Sequence, residues 1–192
     1  MWHYSGQANK TIRSSLKRIG EGTHQRMKYD IIKSPIGPIM VASSGDALGF
    51  VGLPGARHPL NIPSGWIRSR AAFVEVKRQL DAYFAGKLMK FDLPLEPHGT
   101  EFQQRVWQAL RTIPYATTIS YGELARRIGN PQASRAVGLA NGANPLSIIV
   151  PCHRVIGANG SLTGYGGGLE AKKYLLDLER RHAVAGDINL GS

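Results

Sequence analysis

The chain has a single cysteine, Cys152, among 192 residues. One thiol forms no internal disulfide and supplies no Cys-rich zinc site. It points to a reducing, intracellular compartment, cytoplasmic in a bacterium or archaeon and nuclear in a eukaryote. Long apolar runs are missing too. None exceeds four residues, as in Ile39–Ala42 and Ala71–Val74, against the ~20 a membrane-spanning helix needs. Residues 1–26 lack the apolar stretch of a secretory signal. Acidic residues are scarce, 13 against 24 Lys and Arg, which leaves a net charge of +11. The histidines other than His153 (His3, His24, His58, His98 and His182) show no metal-ligand spacing, so neither metal nor cofactor is expected.

What is present is enough for a folded core: 42% of residues are apolar and 19% charged. The basic excess suggests an anionic partner, and its distribution is uneven. Residues 1–26 hold five Lys/Arg and one Glu and read as a mobile extension. Residues 102–169 hold six Arg, with Glu123 as their one acid.

Tyr29–Ile32 and Ile39–Ala42 are β-prone runs around the turn Ser34-Pro35-Ile36-Gly37-Pro38, and Leu48–Leu53 is a third candidate strand. Phe73, Val76, Leu80, Tyr83 and Phe84 mark a helix from about Ser69 to Ala85, ended by Gly86. A strand at Phe91–Leu95 and a linker near Pro97 follow. The second half reads as helical. Thr100 and Gln103, then Ser120 and Glu123, have capping-box spacing. Gly129-Asn130-Pro131 is a tight turn, with Asn130 expected to cap a helix over about Gln132–Asn141. The two short helices form a helix-turn-helix pattern. Ile148–Val150 is a candidate strand, and a last helix over about Leu169–Arg181 carries Leu175 and Leu178 on an apolar stripe.

Two constellations could carry chemistry. In the second helix of the hairpin, Ser134, Ala136 and Gly138 are small and permit close approach, while Arg135 is the one long cation among them. On DNA it could enter a groove or fill the gap left by a displaced base; otherwise the hairpin is ordinary packing. The second is Pro151-Cys152-His153-Arg154-Val155, followed by the glycine-rich Gly164-Tyr165-Gly166-Gly167-Gly168. A thiol beside an imidazole makes a plausible nucleophile, since the thiolate is the reactive form. His153 is expected to reach Cys152 through a turn or a bridging water. Glu179 could orient the imidazole, but Glu170 and Asp177 lie on the same helix. The glycine-rich segment lacks the Gly-Lys-Ser/Thr ending of a phosphate loop.

Together these residues resemble the O6-alkylguanine-DNA alkyltransferases, or methylated-DNA–protein-cysteine methyltransferases. The match runs through about residues 98–181. It includes Phe102-Gln103-Gln104-Arg105-Val106-Trp107, Ser120-Tyr121-Gly122, Ser134-Arg135-Ala136-Val137-Gly138, Asn144-Pro145 and the Pro-Cys-His-Arg-Val run. The resemblance implies direct-reversal repair of duplex DNA carrying O6-alkylguanine, with base flipping and a single transfer of the alkyl group to Cys152. It assigns the proton relay to His153 and Glu179, and proton donation and base rotation to Tyr121. It assigns DNA contact to Ser134, Arg135, Ala136 and Gly138, and the pocket to Asn144, Val155, Tyr165 and Gly166. Gly166 stands where some members carry Ser. The zinc cysteines of some relatives are absent, and the basic extension has no evident family counterpart.

The expected fold is α+β: a small N-terminal α/β domain with an antiparallel sheet (27–97), then a mostly helical, winged-helix-like domain (98–182) containing the helix-turn-helix. A tail covers 183–192. The protein is expected to be monomeric off DNA. Two rival readings are a helix-turn-helix regulator with a structural cysteine, and a Cys-His-Glu hydrolase that turns over repeatedly.

Overall fold

The computed structural model describes residues 27–53 and 62–188; the extension expected over 1–26 lies outside them. Strands β1 (Lys28–Ile32), β2 (Ile39–Ser43) and β3 (Phe50–Gly52) form an antiparallel meander. The turn between β1 and β2 is closed by Ser34, whose carbonyl accepts from the Gly37 amide and whose hydroxyl donates to the Gly37 carbonyl. A two-residue strand β4 (Ile67–Arg68) adds a parallel edge beside β1, giving the order β3-β2-β1-β4. Because side chains alternate along a strand, β2 is buried on both faces. Ile39 and Val41 join the main core, while Met40 and Ala42 join a smaller cluster with Met27 and Phe50.

The helix expected from Ser69 starts as a 3-10 turn, Ala71–Phe73, and becomes α1 only at Val74–Phe84. No side chain caps its start, so the tighter turn serves its first amides. Its residues Val76, Leu80 and Tyr83 face the main core. The strand expected at Phe91–Leu95 is absent. Pro94, which has no amide to donate, instead offers its carbonyl to the Leu48 amide at 2.8 Å, and Leu48 and Leu95 make a lone bridge.

Helix α2 (Glu101–Leu110) carries the full Thr100–Gln103 capping box. It places Val106, Trp107 and Leu110 in the core, and the Trp107 indole donates to the Ala140 carbonyl at 2.9 Å. Helix α3 (Tyr121–Arg127) has half a box: the Ser120 hydroxyl accepts from the Glu123 amide, but the Glu123 carboxylate is engaged by arginines. Gly129, at φ 74°, closes α3 by letting residues 129 and 130 donate back to Arg126 and Ala125. That closure occupies the turn, so Asn130 is no cap. Helix α4 begins only at Ser134 and runs to Gly142, with Ala133 in the cap position. Ile148–Val150 is likewise no strand. Ile148 sits in the left-handed region at φ 73°, and the chain coils back on itself there. Two short strands invisible to hydrophobic pattern, β5 (Ile119–Ser120) and β6 (Val155–Ile156), pair in parallel. Helix α5 (Leu169–Ile188) extends past the expected Arg181, into the stretch read as a tail.

The two halves share one core. The outer edge of β3 is filled by the segment leading to Cys152: Val51 donates to Pro145 at 2.8 Å and accepts from Ser147 at 3.0 Å. Val41, Val51 and Leu80 sit in the same cluster as Leu110, Leu146 and Leu175. Gly167 packs so closely on Leu53 that a Cβ there would lie 2.5 Å from its side chain. Thr100→Ala removes one half of the α2 capping box. It is expected to cost about 1 kcal/mol, read in urea denaturation as a lower midpoint at unchanged slope.

Candidate active site

Cys152 opens a 3-10 turn, Cys152–Arg154, that connects the coiled segment after α4 to β6. The thiol is buried. The Asn144 side-chain amide donates to Sγ at 3.1 Å and to the Val150 carbonyl at 2.8 Å, while its oxygen accepts from the Leu146 amide at 3.0 Å. Asn144 thus ties the end of α4 to the nucleophile. Asn141, buried on α4, reaches the Cys152 carbonyl at 3.4 Å.

The tight turn sends His153 and Arg154 inward together, and both meet Glu179 of α5. His153 Nε2 lies 2.8 Å from Oε1, and Arg154 donates from Nη2 at 2.8 Å and from Nε to Oε2 at 2.9 Å. The Tyr83 hydroxyl, from α1 in the other half, donates to Oε1 at 2.7 Å, and the Ala116 amide donates to Oε2 at 2.9 Å. Ala116 sits at φ 58°, a conformation costing a non-glycine residue about 1–2 kcal/mol; its hydrogen bond to the carboxylate offsets that. Of the three acids weighed from sequence on α5, Glu170 is exposed and Asp177 pairs with Arg180, so Glu179 is the one in the core.

These contacts settle the protonation states. Burial alone would raise the Glu179 carboxyl, but hydrogen bonds and charge from His153 and Arg154 outweigh it and hold it down at about 2. Burial lowers the His153 imidazole, and the Glu179 carboxylate does not fully offset this. His153 is therefore neutral at neutral pH. An ionised carboxylate only accepts, so Nε2 carries the hydrogen and Nδ1 keeps its lone pair. Nδ1 is buried without a hydrogen-bond partner. Burial pushes the Cys152 thiol up, and the Asn144 donor and Lys172 cation pull it back only in part. The resting nucleophile is a neutral thiol, one residue from an imidazole whose Nδ1 can accept a proton.

Val155 is fully buried in β6. The Tyr165 ring stands edge-on to His153 at 6.4 Å, its hydroxyl buried and unpartnered. Gly166 is exposed, with nothing near its Cα face. Tyr121, first residue of α3, reaches the Thr163 carbonyl at 3.4 Å and packs beside Gly138. Arg135 and Ala136 project from the exposed face of α4 together with Leu139, whereas Ser134 and Gly138 are half-buried. Among the described residues, no cluster of His, Cys, Asp or Glu could hold a metal ion, and no helix is long and apolar enough to cross a membrane.

Four participants were not singled out from sequence: Tyr83, Arg154, Asn141 and Lys172. Lys172 is fully buried, donates to the Val155 and Thr163 carbonyls at 2.6 and 2.8 Å, and is pushed down by burial to about 8. Its signal was legible. Lys172, Leu175 and Glu179 fall at i, i+3 and i+7, so two charged residues lie on the buried stripe of α5.

A cysteine nucleophile with a His-Glu pair, mounted behind a helix-turn-helix, defines a DNA-binding protein with a thiol acceptor site. Family models agree. Residues 27–97 match the ribonuclease-like domain of 6-O-methylguanine DNA methyltransferase, and residues 101–181 match its DNA-binding domain. A methylated-DNA–protein-cysteine methyltransferase of Methanosarcina acetivorans is 56% identical over 153 residues, covering 80% of this chain and 98% of that protein. One from Mycolicibacterium paratuberculosis is 52% identical, covering 83% and 96%. The solved O6-methylguanine methyltransferase of Mycobacterium tuberculosis is 53% identical at a TM-score of 0.75, covering 81% of this chain and 94% of its own. A Mycobacterium tuberculosis OGT in complex with DNA matches at a TM-score of 0.74, with the same coverage. The chain belongs to the 6-O-methylguanine DNA methyltransferase family, DNA-repair proteins that transfer an alkyl group to a cysteine.

The Glu179 carboxyl takes up its proton near 4.5 in the unfolded chain but only at about 2 in the fold. Its contribution to stability is therefore complete above 4.5 and is lost as pH falls from there toward 2. Glu179→Gln leaves Arg154 buried without its counter-charge. It is expected to cost about 3–5 kcal/mol at neutral pH in chemical denaturation, and to flatten the loss of stability across that acidic window.

Proposed function

We propose that this chain repairs O6-alkylguanine in duplex DNA by one irreversible transfer of the alkyl carbon to Cys152. The observation carrying this reading is a buried thiol in the same turn as an imidazole whose Nε2 is held by Glu179 and whose Nδ1 has no hydrogen-bond partner. The helix-turn-helix binds the duplex through the exposed face of α4. Ser134, Ala136 and Gly138 let the helix approach, and Arg135 fills the space of the rotated nucleotide, which Tyr121 helps turn out. The lesion enters between Asn144, Val155, Tyr165 and the backbone at Gly166.

In the transfer, Cys152 Sγ bonds to the alkyl carbon as the C–O6 bond breaks and its electron pair passes to the guanine. The thiol proton goes to His153, directly or through a water. Tyr121 gives a proton to the departing base, and the two side chains re-equilibrate with solvent. The product is a thioether with no easy leaving group, so each molecule acts once. A hydrolase would instead turn over repeatedly, through an oxyanion site and an attacking water. The duplex partner, the monomeric state off DNA and the intracellular setting belong to the same reading.

The test is intact-mass measurement after incubation with a duplex bearing one O6-methylguanine. The expected result is a gain of one methyl group, mapped to Cys152 and stopping at one per molecule. Cys152→Ala gains none while still binding the duplex. No gain by the wild type despite tight binding refutes the proposal. Arg135→Ala is expected to slow transfer from duplex by about tenfold to a hundredfold, as rotating a base out of the stack costs a few kcal/mol. Single-stranded lesion DNA should react at close to the wild-type rate. Equal slowing on both substrates contradicts the role given to Arg135.

A further inference from the structure

Glu123 is the one acid among residues 102–169, and it sits on the first helix of the helix-turn-helix. Its Oε2 accepts from Arg126 Nε at 3.0 Å and Nη2 at 2.6 Å, and its Oε1 accepts from Arg127 Nε at 3.2 Å. One carboxylate thus holds both arginines of the last turn of α3. The Arg126 side chain remains 64% exposed. The tight turn at Gly129 brings this end of α3 next to the start of α4, where Arg135 is exposed with no ion-pair partner among the described residues. The Glu123 carboxyl is held below its usual value by the arginine hydrogen bonds, so it stays ionised at neutral pH.

We propose that Arg126 and Arg127 are contacts for the DNA phosphate backbone, and that Glu123 is a built-in competitor for them which weakens binding to undamaged duplex. This rests on the DNA-repair reading above. In the first helix of such a motif, side chains meet the backbone rather than base edges. The trio carries +1 as it stands and +2 without the carboxylate. Its charge sets sequence-independent affinity and the salt dependence of binding, because each phosphate neutralised releases counterions. A repair protein must leave undamaged sites to find rare lesions, and a carboxylate that recaptures the two guanidinium groups shortens each stay.

The experiment measures affinity for an undamaged duplex as a function of salt for the wild type, Glu123→Gln, Arg126→Ala/Arg127→Ala, and the triple variant. Glu75→Gln, which removes an arginine-paired carboxylate from α1, adds the same charge far from the motif. Glu123→Gln is expected to tighten binding about fivefold and to steepen the log-log salt slope by about 0.9. The double arginine variant is expected to weaken binding and make the slope shallower, and the carboxylate change should have no effect in that background. Glu75→Gln should leave the slope unchanged. Overturning results are an unchanged slope in Glu123→Gln, an equal effect from Glu75→Gln, or a full Glu123 effect without the arginines. Methyl uptake by the wild type is measured alongside. A wild type that binds no duplex overturns both the repair reading and this inference, while a flat variant series in a binding, methyl-accepting protein overturns only this one.

Discussion

The structure turns on one buried carboxylate. Glu179 gathers four donors from three separate segments: Tyr83 of the first half, the amide of Ala116, and His153 and Arg154 from the cysteine turn. A buried anion is tolerated only when its charge and lone pairs are answered, and here the Arg154 guanidinium answers the charge. With the charge answered there, burial leaves the imidazole neutral. If His153 were the counter-charge instead, its ring would hold a proton on each nitrogen and could not serve as a base. The same contacts fix where the turn sits, and hence where Sγ sits. Fold and reactivity therefore share one interaction.

The N-terminal half contributes to the site although it carries none of the reacting atoms. Its β3 edge receives the segment 145–147, Leu53 packs under Gly167, and Tyr83 completes the shell of Glu179. The reactive turn is thus braced from behind by a sheet and presented from the front by a helical hairpin. Asn144 joins the helical hairpin to the nucleophile, since it follows α4 and touches the thiol. The thiol is buried at rest, which suits a nucleophile that can be used once. A thiolate standing open at neutral pH would be consumed by any electrophile or oxidant.

Much of this was legible in the residues, for identifiable reasons. β-Prone apolar runs, helices with capping residues and the cysteine motif all leave local signals, and Thr100–Gln103 and Ile39–Ser43 lie where those signals put them. Local signals failed where a longer-range partner decides the conformation. Phe91–Leu95 has strand composition, but Pro94 denies it a ladder. Ile148–Val150 has β-branched residues, but the chain must turn there to deliver Cys152. The helix after Pro131 starts late because Gly129 spends the turn on closing the previous helix. Within the site, Glu179 could not be chosen over Glu170 and Asp177 until its burial was known. Tyr83 was out of reach of any sequence argument, because 96 residues separate it from Glu179.

The central claim is that the resting site holds a neutral thiol, a neutral imidazole and an ionised carboxylate, with the proton moving only when a lesion is seated. Since Cys152 is the single cysteine, its ultraviolet thiolate absorbance can be titrated directly in the unmodified protein. The account predicts no thiolate at neutral pH and a titration displaced above the ordinary value of 9.0 for a thiol. A thiolate already formed at neutral pH would contradict it, because the proton would then reside on His153 as a standing ion pair.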